Sequence, residues 1–412
     1  MTPAPARKNL PEGWRWVRLG DVVREAQGGF ACGERDPEGV LQLRMNNVTK
    51  RGQFDWSSAL RVPSSRETLE MYGLQEGDVL FNNTNSTELV GKTALFERHT
   101  EPVVFSNHFT RLRTADDLLM PGFLALWLQE QWQRRLFADI CNRWIGQSAV
   151  QRDKLLALEM PLPQLAEQKR ITGILAGRLA GVERARAATE AQLEAARALP
   201  AAYLRAAFGN PQAESWPRRR LAETSRLLPS KSIANDGDAV VQAITTACLT
   251  ESGFQPRGVK TARMWTADVA ECTLSPSEIL VARSNTPDLV GRASLFPGAG
   301  GAVVASDLTV RIRPGESMVP SFLAYYLSFL YTTGYWKERA GGASGSMKKI
   351  TRAQILAEQI PTPTIAQQTC TSDSINGSMA VAQATCEALE QKLAAINALP
   401  AALLRRAFSG EL

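Results

Sequence analysis

The sequence predicts an α+β protein. We expect two tandem mixed α/β domains, separated by two long helices that pack together as a coiled coil, with a pseudo-two-fold internal repeat. Three observations predict this class: a repeat at a lag of 200 residues, short apolar runs broken by turn residues in each half, and a heptad seam after each half. A chain of 412 residues has room for two to three such domains.

The repeat sets the domain organisation. Ala-Leu-Pro-Ala-Ala at residues 198–202 returns at residues 398–402, and 398 − 198 = 200. Solenoid repeats are only about 20–50 residues long, so this lag indicates a duplicated domain. Two unlike copies usually do one job at two places. We place the segments at residues 1–157 (first domain), 158–209 (first helix), 210–357 (second domain) and 358–412 (second helix).

The sequence pattern of each globular half predicts strands followed by a helix. Residues 78–81 and 102–105 are short apolar runs between Asn, Gly and Pro, which is typical of strands joined by turns. Residues 123–128 then place Phe, Leu, Trp and Leu on one helix face, and residues 322–327 repeat the spacing.

Each connecting segment predicts a helix with a heptad seam. The seam of the second copy is strict and that of the first is looser: Ile375, Met379, Ala382, Cys386, Leu389, Leu393 and Ile396, against Leu175, Leu179, Val182, Arg186, Thr189, Leu193 and Ala196. Because both copies carry the seam, we expect the helices to pack together. The alternative is that each helix lies on its own globular core. A Pro-x-Pro pair before each helix (Pro161/Pro163 and Pro361/Pro363) predicts an extended, stiff entry.

Composition restricts the class of protein but does not identify a binding partner. The 47 basic and 41 acidic residues give a net charge of +6, which allows a polyanionic partner but does not demand one. Six scattered cysteines without a CxxC pair favour reduced thiols over a zinc site or disulfides. No signal-peptide core and no run of about 18 apolar residues is visible, so we expect a cytoplasmic protein.

No catalytic or metal constellation is evident. His99 and His108 have no counterparts in the second copy, so we interpret both as structural or surface residues. Residues 91–93 (Gly-Lys-Thr) resemble the end of a phosphate-binding loop, but Ser86 occupies the position that needs glycine, and residues 291–293 read Gly-Arg-Ala. We predict no catalytic residue, no metal ligand and no cofactor on this chain.

Polar loops in both copies suit DNA. Asn and Gln pair bidentately with adenine and Arg with guanine, whereas Lys, Arg and Thr also hold phosphates. Residues 21–75 and 222–274 share little, so we expect the two copies to read different targets. The candidate DNA-binding residues are Arg44, Asn46, Asn47, Lys50, Arg51, Asn82, Asn83, Asn85, Lys92, Gln147, Thr245, Thr246, Lys260, Arg263, Arg283, Ser284, Asn285, Arg292, Lys348 and Lys349. A glycine-containing loop near the end of each domain, residues 146–148 and 341–349, permits close backbone approach to a ligand.

Three motifs carry a family resemblance. Residues 10–14 read Leu-Pro-Glu-Gly-Trp, residues 161–168 read Pro-Leu-Pro-Gln-Leu-Ala-Glu-Gln, and residues 404–412 read Leu-Arg-Arg-Ala-Phe-Ser-Gly-Glu-Leu. With these motifs the chain resembles, over nearly its whole length, the specificity subunit of a type I restriction–modification system. The second copy departs from the box before the helix, since Gln367-Gln368 replaces Glu167-Gln168.

The resemblance implies two target-recognition domains held apart by an antiparallel helix pair, in a subunit without catalysis of its own. It implies double-stranded DNA, two methyltransferase subunits docked on the helices, and restriction subunits as partners. S-adenosylmethionine, ATP and Mg would then be bound by those partners, which methylate adenine in each half-site. The candidate partner-binding residues are Leu175, Leu179, Val182, Leu193, Phe208, Met379, Leu389, Leu393 and Phe408.

Helix length agrees with a two-site reader. A helix of about 30 residues spans roughly 45 Å, and one DNA turn is about 34–36 Å. We therefore expect a bipartite, asymmetric site of two short half-sites around a spacer. Two other classes stay open: a stand-alone methyltransferase or nuclease with an unrecognised site, and a coiled-coil scaffold that binds only proteins.

Overall fold

The computed structural model describes residues 10–234, 236–251, 253–299, 301–342 and 347–412. They fall into two compact units. Unit 1 comprises Met1–Ala188 and Leu393–Leu412, and unit 2 comprises Thr189–Lys392. Each unit therefore combines one mixed domain with parts of both long helices. Among the described residues, no helix is both long enough and apolar enough to cross a membrane.

The first domain alternates short strands with short helices. Its strands are β1 (Arg15–Arg18), β2 (Val23–Gly28), β3 (Val40–Leu43), β4 (Leu60–Val62), β5 (Val79–Asn82), β6 (Thr84–Asn85), β7 (Thr93–Leu95), β8 (Val103–Phe105), β9 (Phe109–Thr114), β10 (Asn142–Trp144), β11 (Gln147–Ala149) and β12 (Glu159–Leu162). Its helices are α1 (Leu19–Val22), α2 (Arg66–Tyr72), α3 (Pro121–Gln133), α4 (Leu136–Ile140) and α5 (Arg152–Leu156), and the long helix α6 (Leu165–Phe208) follows.

The second domain has nearly the same order of elements. Its strands are β13 (Arg218–Arg220), β14 (Ser225–Leu228), β15 (Ala239–Ile244), β16 (Leu249–Thr250), β17 (Gly253–Phe254), β18 (Lys260–Met264), β19 (Ile279–Ala282), β20 (Ser284–Asn285), β21 (Ala293–Leu295), β22 (Val303–Ala305), β23 (Thr309–Pro314), β24 (Lys348–Lys349) and β25 (Gln359–Pro361). Its helices are α7 (Pro211–Glu214), α8 (Leu221–Thr224), α9 (Thr266–Cys272), α10 (Pro320–Thr332), α11 (Tyr335–Arg339) and α12 (Arg352–Ala357), before the long helix α13 (Ile365–Phe408).

The sheets of the two domains share one topology. The first domain has an antiparallel sheet β2-β9-β5-β7 and a mixed sheet β4-β3-β8, and the second has β14-β23-β19-β21 and β18-β15-β22. Strand register repeats with the sequence lag, since Val79 lies opposite Leu112 and Ile279 lies opposite Ile312. The predicted α+β architecture with an internal repeat is confirmed.

A helix covers the four-stranded sheet in each domain. Helices α3 and α10 both begin with a proline, whose missing N–H costs nothing in the first turn. Phe123 and Leu124 on α3, like Phe322 and Leu323 on α10, are completely buried. The apolar face predicted from spacing is therefore the face that forms each core.

Gly91 and its repeat Gly291 are packing features. Their φ angles are +91° and +84°, which lie in the left-handed region that favours glycine. A Cβ atom at Gly91 would overlap the ring of Phe137, and one at Gly291 would overlap the ring of Trp336. Backbone conformation and aromatic packing therefore explain why glycine occupies position 91, in the segment that resembles the end of a phosphate-binding loop.

The long helices run side by side in opposite directions within each unit. In unit 1, Arg170 near the start of α6 donates to the Leu412 carbonyl at 2.7 Å. In unit 2, Arg197 of α6 lies 2.9 Å from Glu390 of α13, and Phe208 at the end of α6 shares a core with Ile375 near the start of α13. The predicted antiparallel coiled coil is confirmed, while the ends of each helix join the domain cores.

A buried glutamine joins each domain to its helix. Gln168 is completely buried; its Oε1 accepts from the Met120 N–H at 2.8 Å and its Nε2 donates to the Pro163 carbonyl at 2.9 Å. Gln368 makes the same contacts, with Val319 at 2.8 Å and Pro363 at 2.9 Å. The glutamine shared by both copies of the box is therefore the one that orients the helix.

The other residue of that box, which differs between the copies, is more exposed. Glu167 pairs with Arg170 at 2.7 Å, whereas Gln367 accepts from the Thr364 N–H at 3.1 Å. Replacing glutamate by glutamine there leaves the buried contact unchanged. The strand β12 precedes this box and pairs with β1, so the extended Pro-x-Pro entry is part of a two-stranded sheet.

Candidate nucleic-acid interface

Loops of the first domain meet beyond the ends of β3, β5 and β8. We call this group the first loop cluster, residues 44–47, 83–86, 106–108 and 142–149. Asn83 lies at its centre, because its N–H donates to the His108 carbonyl at 3.0 Å and its carbonyl accepts from the Val150 N–H at 2.9 Å. The hairpin β10–β11 joins the cluster by pairing with β6, where Ser148 lies opposite Asn85.

The second domain has the same arrangement. The second loop cluster comprises residues 245–248, 283–286, 306–308, 341–342 and 347–349. Arg283 donates to the Leu308 carbonyl at 2.9 Å and accepts from the Ile350 N–H at 2.9 Å. Strand β24 pairs with β20 as β11 pairs with β6. The main-chain hydrogen bonds of the two clusters therefore match at a lag of 200.

The side chains on this shared frame differ in chemistry. Asn83 is replaced by Arg283, and His108 by Leu308, which is 46% exposed. Ser148 and Ala149 of β11 correspond to Lys348 and Lys349 of β24. The second cluster thus carries more positive charge and an apolar group where the first offers amide and imidazole. Two surfaces of one shape present different hydrogen-bonding groups.

Three predicted DNA-binding asparagines are buried and hold the loops. The amide of Asn47 is fully buried, and its Nδ2 donates to the Asp55 carbonyl at 2.9 Å. Asn82 donates to the His108 carbonyl at 2.9 Å, and Asn85 donates to Asn82 Oδ1 at 2.6 Å. A buried, internally bonded amide does not offer its polar atoms to a duplex, so these residues position the cluster in this structure.

Lys92 and Arg292 also act inside their domains. Lys92 is 5% exposed, and its Nζ donates to the carbonyls of Val48 and of Met45, the latter at 3.3 Å. Burial, and secondarily the charge of Lys50, lowers the pKa of Lys92. Arg292 donates to the Leu249 carbonyl at 3.3 Å. Each cation therefore ties the loop after β3 or β15 to the frame. The burial of Lys92 argues against its predicted DNA contact, whereas a DNA contact by the partly exposed Arg292 stays a prediction.

Predicted cations at the neighbouring turn of the first domain have other contacts. The Lys50 carbonyl accepts from Gln129 Nε2 of α3 at 2.7 Å, although the Lys50 side chain is exposed. Arg51 Nε lies 3.3 Å from Glu183 Oε1 on α6. The turn that carries these residues is therefore held against the helices.

The edge strand β18 carries two more predicted cations. Lys260 lies opposite Ala243, beside the second cluster, whereas Arg263 lies opposite Val240 at the far end of the strand. Arg263 Nε donates to the Gly237 carbonyl at 2.7 Å. Lys260 is thus the member of this pair that borders the cluster.

The remaining predicted DNA-binding residues lie within the two clusters and are at least partly exposed. They are Arg44, Asn46, Asn83 and Gln147 in the first cluster, and Thr245, Thr246, Arg283, Ser284, Asn285, Lys348 and Lys349 in the second. The Gly-rich stretch predicted at 341–349 is described except for residues 343–346, which lie outside the described residues.

Sequence reasoning missed three residues of the clusters. His108, Leu308 and Trp144 are all in the loop clusters, but the histidine was set aside because the second copy lacks it. The signal was present: Ser106 and Arg111, on either side of position 108, recur as Ser306 and Arg311 while residue 108 itself changes. Burial, and secondarily the charge of Arg44, lowers the pKa of His108.

The predicted partner-binding residues are mostly used within the chain. Phe208 packs against Phe322 at 5.4 Å between ring centroids, and Phe408 packs against Phe123 at 5.1 Å. Leu175, Val182 and Leu193 are buried, and Leu179, Met379, Leu389 and Leu393 are half-buried. Their apolar groups stabilise this chain, so a partner on the helices would meet other side chains.

Among the described residues, no group of three or more His, Cys, Asp or Glu side chains could hold a metal ion.

Comparison with known proteins agrees with the architecture. Residues 11–177 match the family described as type I restriction modification DNA specificity domain. A Methanocaldococcus jannaschii protein assigned as the MjaX type I restriction enzyme specificity subunit is 29% identical over 168 residues, which cover 40% of this chain and 39% of that protein. The Salmonella potsdam StySPI specificity subunit is 22% identical over 98% of this chain and 90% of its own.

Solved structures show the same fold over the whole chain. A chain from work on complex assembly and conformational transition of the type I R-M system matches with a TM-score of 0.74 at 20% identity, covering 98% of this chain and all of the other. The HsdS subunit from Thermoanaerobacter tengcongensis matches with a TM-score of 0.60 at 21% identity, covering 99% of each chain. By sequence over residues 11–177 and by fold over nearly the whole chain, this protein is similar to type I restriction–modification specificity subunits.

Proposed function

We propose that this chain is the DNA specificity subunit of a type I restriction–modification complex and catalyses no reaction itself. Each loop cluster reads one half of a bipartite, asymmetric DNA site. The observation that supports this most directly is the pair of clusters with one backbone frame and different side chains. Identical side chains would read a repeated half-site, whereas Asn83 against Arg283 predicts two different half-sites.

We propose that partner subunits carry out the methylation and restriction reactions. Two methyltransferase subunits that carry S-adenosylmethionine, and restriction subunits that use ATP and Mg, would assemble with this chain in the cytoplasm. Because the seam side chains are used internally, we propose that the outward faces of α6 and α13 receive the methyltransferase subunits. Exposed apolar residues on α13 suit such a contact, since Val381 is 63% exposed and Leu399 is 45% exposed.

Selection from a DNA library tests the reading function. The purified full chain is bound to duplexes with a randomised core, and bound sequences are enriched by filter binding. We expect two short conserved blocks around a spacer of constant length. Removing one heptad from each long helix should change that spacer. No enrichment, or one contiguous motif, would contradict the proposal.

Reciprocal substitutions assign each block to a cluster. Arg283→Asn should alter preference in one block only, and Asn83→Arg in the other only. If position 283 contacts a phosphate, the salt dependence of binding should also fall by about one unit of slope. Arg263→Asn is the matched control, because Arg263 is an exposed cation of the same domain outside the cluster. Methylation or cleavage of DNA by the chain alone would favour an enzyme instead.

A further inference from the structure

We propose that Trp144 and Ile145 form an apolar wedge that packs directly against bases in the first half-site. The inference rests on the proposed function and deepens it by adding a base contact with no hydrogen bonds. Trp144 is 60% exposed and Ile145 is fully exposed, although both side chains are large and apolar. Two such neighbours at one tip are costly in water and indicate a surface that another molecule covers.

The tip belongs to a well-anchored hairpin. Trp144 lies opposite Gln147, so Ile145 and Gly146 form the turn, and Gly146 has a φ of +83°. Nothing lies within 4 Å of a Cβ placed at Gly146, so the turn projects away from the domain.

The base of the hairpin is fixed on the domain side. Ser148 is 1% exposed, and its Oγ lies 2.7 Å from Thr87 Oγ1. Arg143 Nη2 donates to the Ala138 carbonyl at 2.9 Å. A hairpin held at its base presents its tip without much loss of conformational freedom, which favours binding.

Position in the fold identifies the occupant as duplex DNA. The hairpin pairs through β11 with β6, so the tip continues the first loop cluster beyond Asn83 and Asn85. The cations Arg143 and Lys154 flank its base and supply positive charge of the kind that phosphate contacts need. Indole stacks on base faces, and an apolar side chain can wedge between base steps.

The aromatic side chain of the wedge has no counterpart in residues 341–349 of the second domain. At the lag of 200, Ser344 and Gly345 correspond in sequence to Trp144 and Ile145. Strand β24 of the second domain, which follows Met347, carries Lys348 and Lys349 and adds cations near its half-site. We therefore expect base stacking in one half-site only.

Binding measurements across salt concentrations test the wedge. The full chain is titrated with the duplex that the wild type selects, comparing Trp144→Ala, Trp144→Phe and Ile145→Ala. Trp144→Ala should weaken binding about 5- to 100-fold, as loss of one stacked base does. The salt slope should stay unchanged, because no charge is removed. Trp144→Phe should restore most of the affinity, since phenylalanine also stacks.

Trp265→Ala is the matched control. Trp265 is 47% exposed but lies next to the far end of β18, outside both clusters, so its loss should leave DNA affinity unchanged. The emission of Trp144, taken as the wild type minus Trp144→Phe difference, should be quenched when DNA binds. Unchanged affinity in Trp144→Ala together with no quenching overturns the wedge. Loss of methyltransferase binding with intact DNA affinity overturns it in favour of a protein contact.

The wedge and the proposed function fail in different ways. If the wild type selects a bipartite site and Trp144→Ala binds it equally well, only the wedge is wrong. If the wild type selects no sequence at all, the reading function is wrong, and the wedge, which rests on it, is overturned as well.

Discussion

The two mixed domains keep the same backbone but not the same charges. Both hold a buried arginine at the centre of the four-stranded sheet, Arg111 in the first and Arg311 in the second, each 2% exposed. In the first domain the acidic partners are divided between Glu25 and Asp78. In the part of the second domain that the structure describes, Glu278, which is 1% exposed, is the acidic partner of both Arg311 and Arg313.

This difference shows what the duplication preserves. The sheet register, the positive-φ glycine and the buried glutamine before the long helix recur at the same lag. The groups that satisfy a buried charge, or that face outward from a loop cluster, are free to change as long as that frame survives. Under the proposed function, a change of DNA target would need altered side chains but no altered strands.

The largest expected effect comes from removing the acidic partners of the buried arginines, which differ between the two domains. Glu278→Gln leaves Arg311 buried without a carboxylate, which should cost the second domain about 3–5 kcal/mol. Asp78→Asn should cost the first domain only about 1–3 kcal/mol, because Glu25 still neutralises both arginines. Hydrogen exchange of amides in β19 and β23, against β5 and β9, measures each domain separately. Equal losses of stability in the two domains would show that Glu278, which pairs with two arginines, contributes no more to stability than Asp78.

The next prediction compares how much stability each domain loses when a Cβ atom is added at its positive-φ glycine. Gly91→Ala and Gly291→Ala should each destabilise their own domain by about 2–4 kcal/mol, since left-handed backbone and overlap with an aromatic ring both oppose a Cβ. Gly146→Ala is the control: its φ is +83° but nothing lies nearby, so the cost should be about 1–2 kcal/mol. The same hydrogen-exchange measurement applies, and similar costs at all three positions would remove the packing argument.

Sequence alone could predict the frame because repetition and periodicity report backbone and burial. The heptad seam placed Thr189 and Ala382 correctly on the buried face, where both are 1% exposed. It could not assign the asparagines, because an amide that suits adenine equally suits a main-chain carbonyl. Asn82 and Asn83 are adjacent, yet only the fold separates the buried one from the partly exposed one. The sequence likewise could not show that Phe208 belongs to a core, because most of the aromatic residues that contact it are distant in the chain.

The smallest expected effect comes from the residue that most plainly distinguishes the clusters. Burial and the charge of Arg44 lower the pKa of His108 below its ordinary value of 6.5, so the folded domain favours the neutral imidazole. As pH falls below about 6.5, the unfolded chain binds the proton first, and the first domain loses stability until pH reaches the lowered folded pKa. Above that window His108 adds no pH dependence.

Leu308 makes the second domain an internal control for this titration. Exchange protection in β9, corrected for intrinsic exchange rates, should decline between pH 7 and 5. His108→Leu, the residue of the second copy, should remove that share of the decline, while protection in β23 stays as it was. A decline that persists in His108→Leu would show that His108 does not cause it; Glu25, whose pKa is lowered from 4.5, loses its contribution only at pH values below this window. The histidine would then distinguish the clusters only through what it presents to DNA.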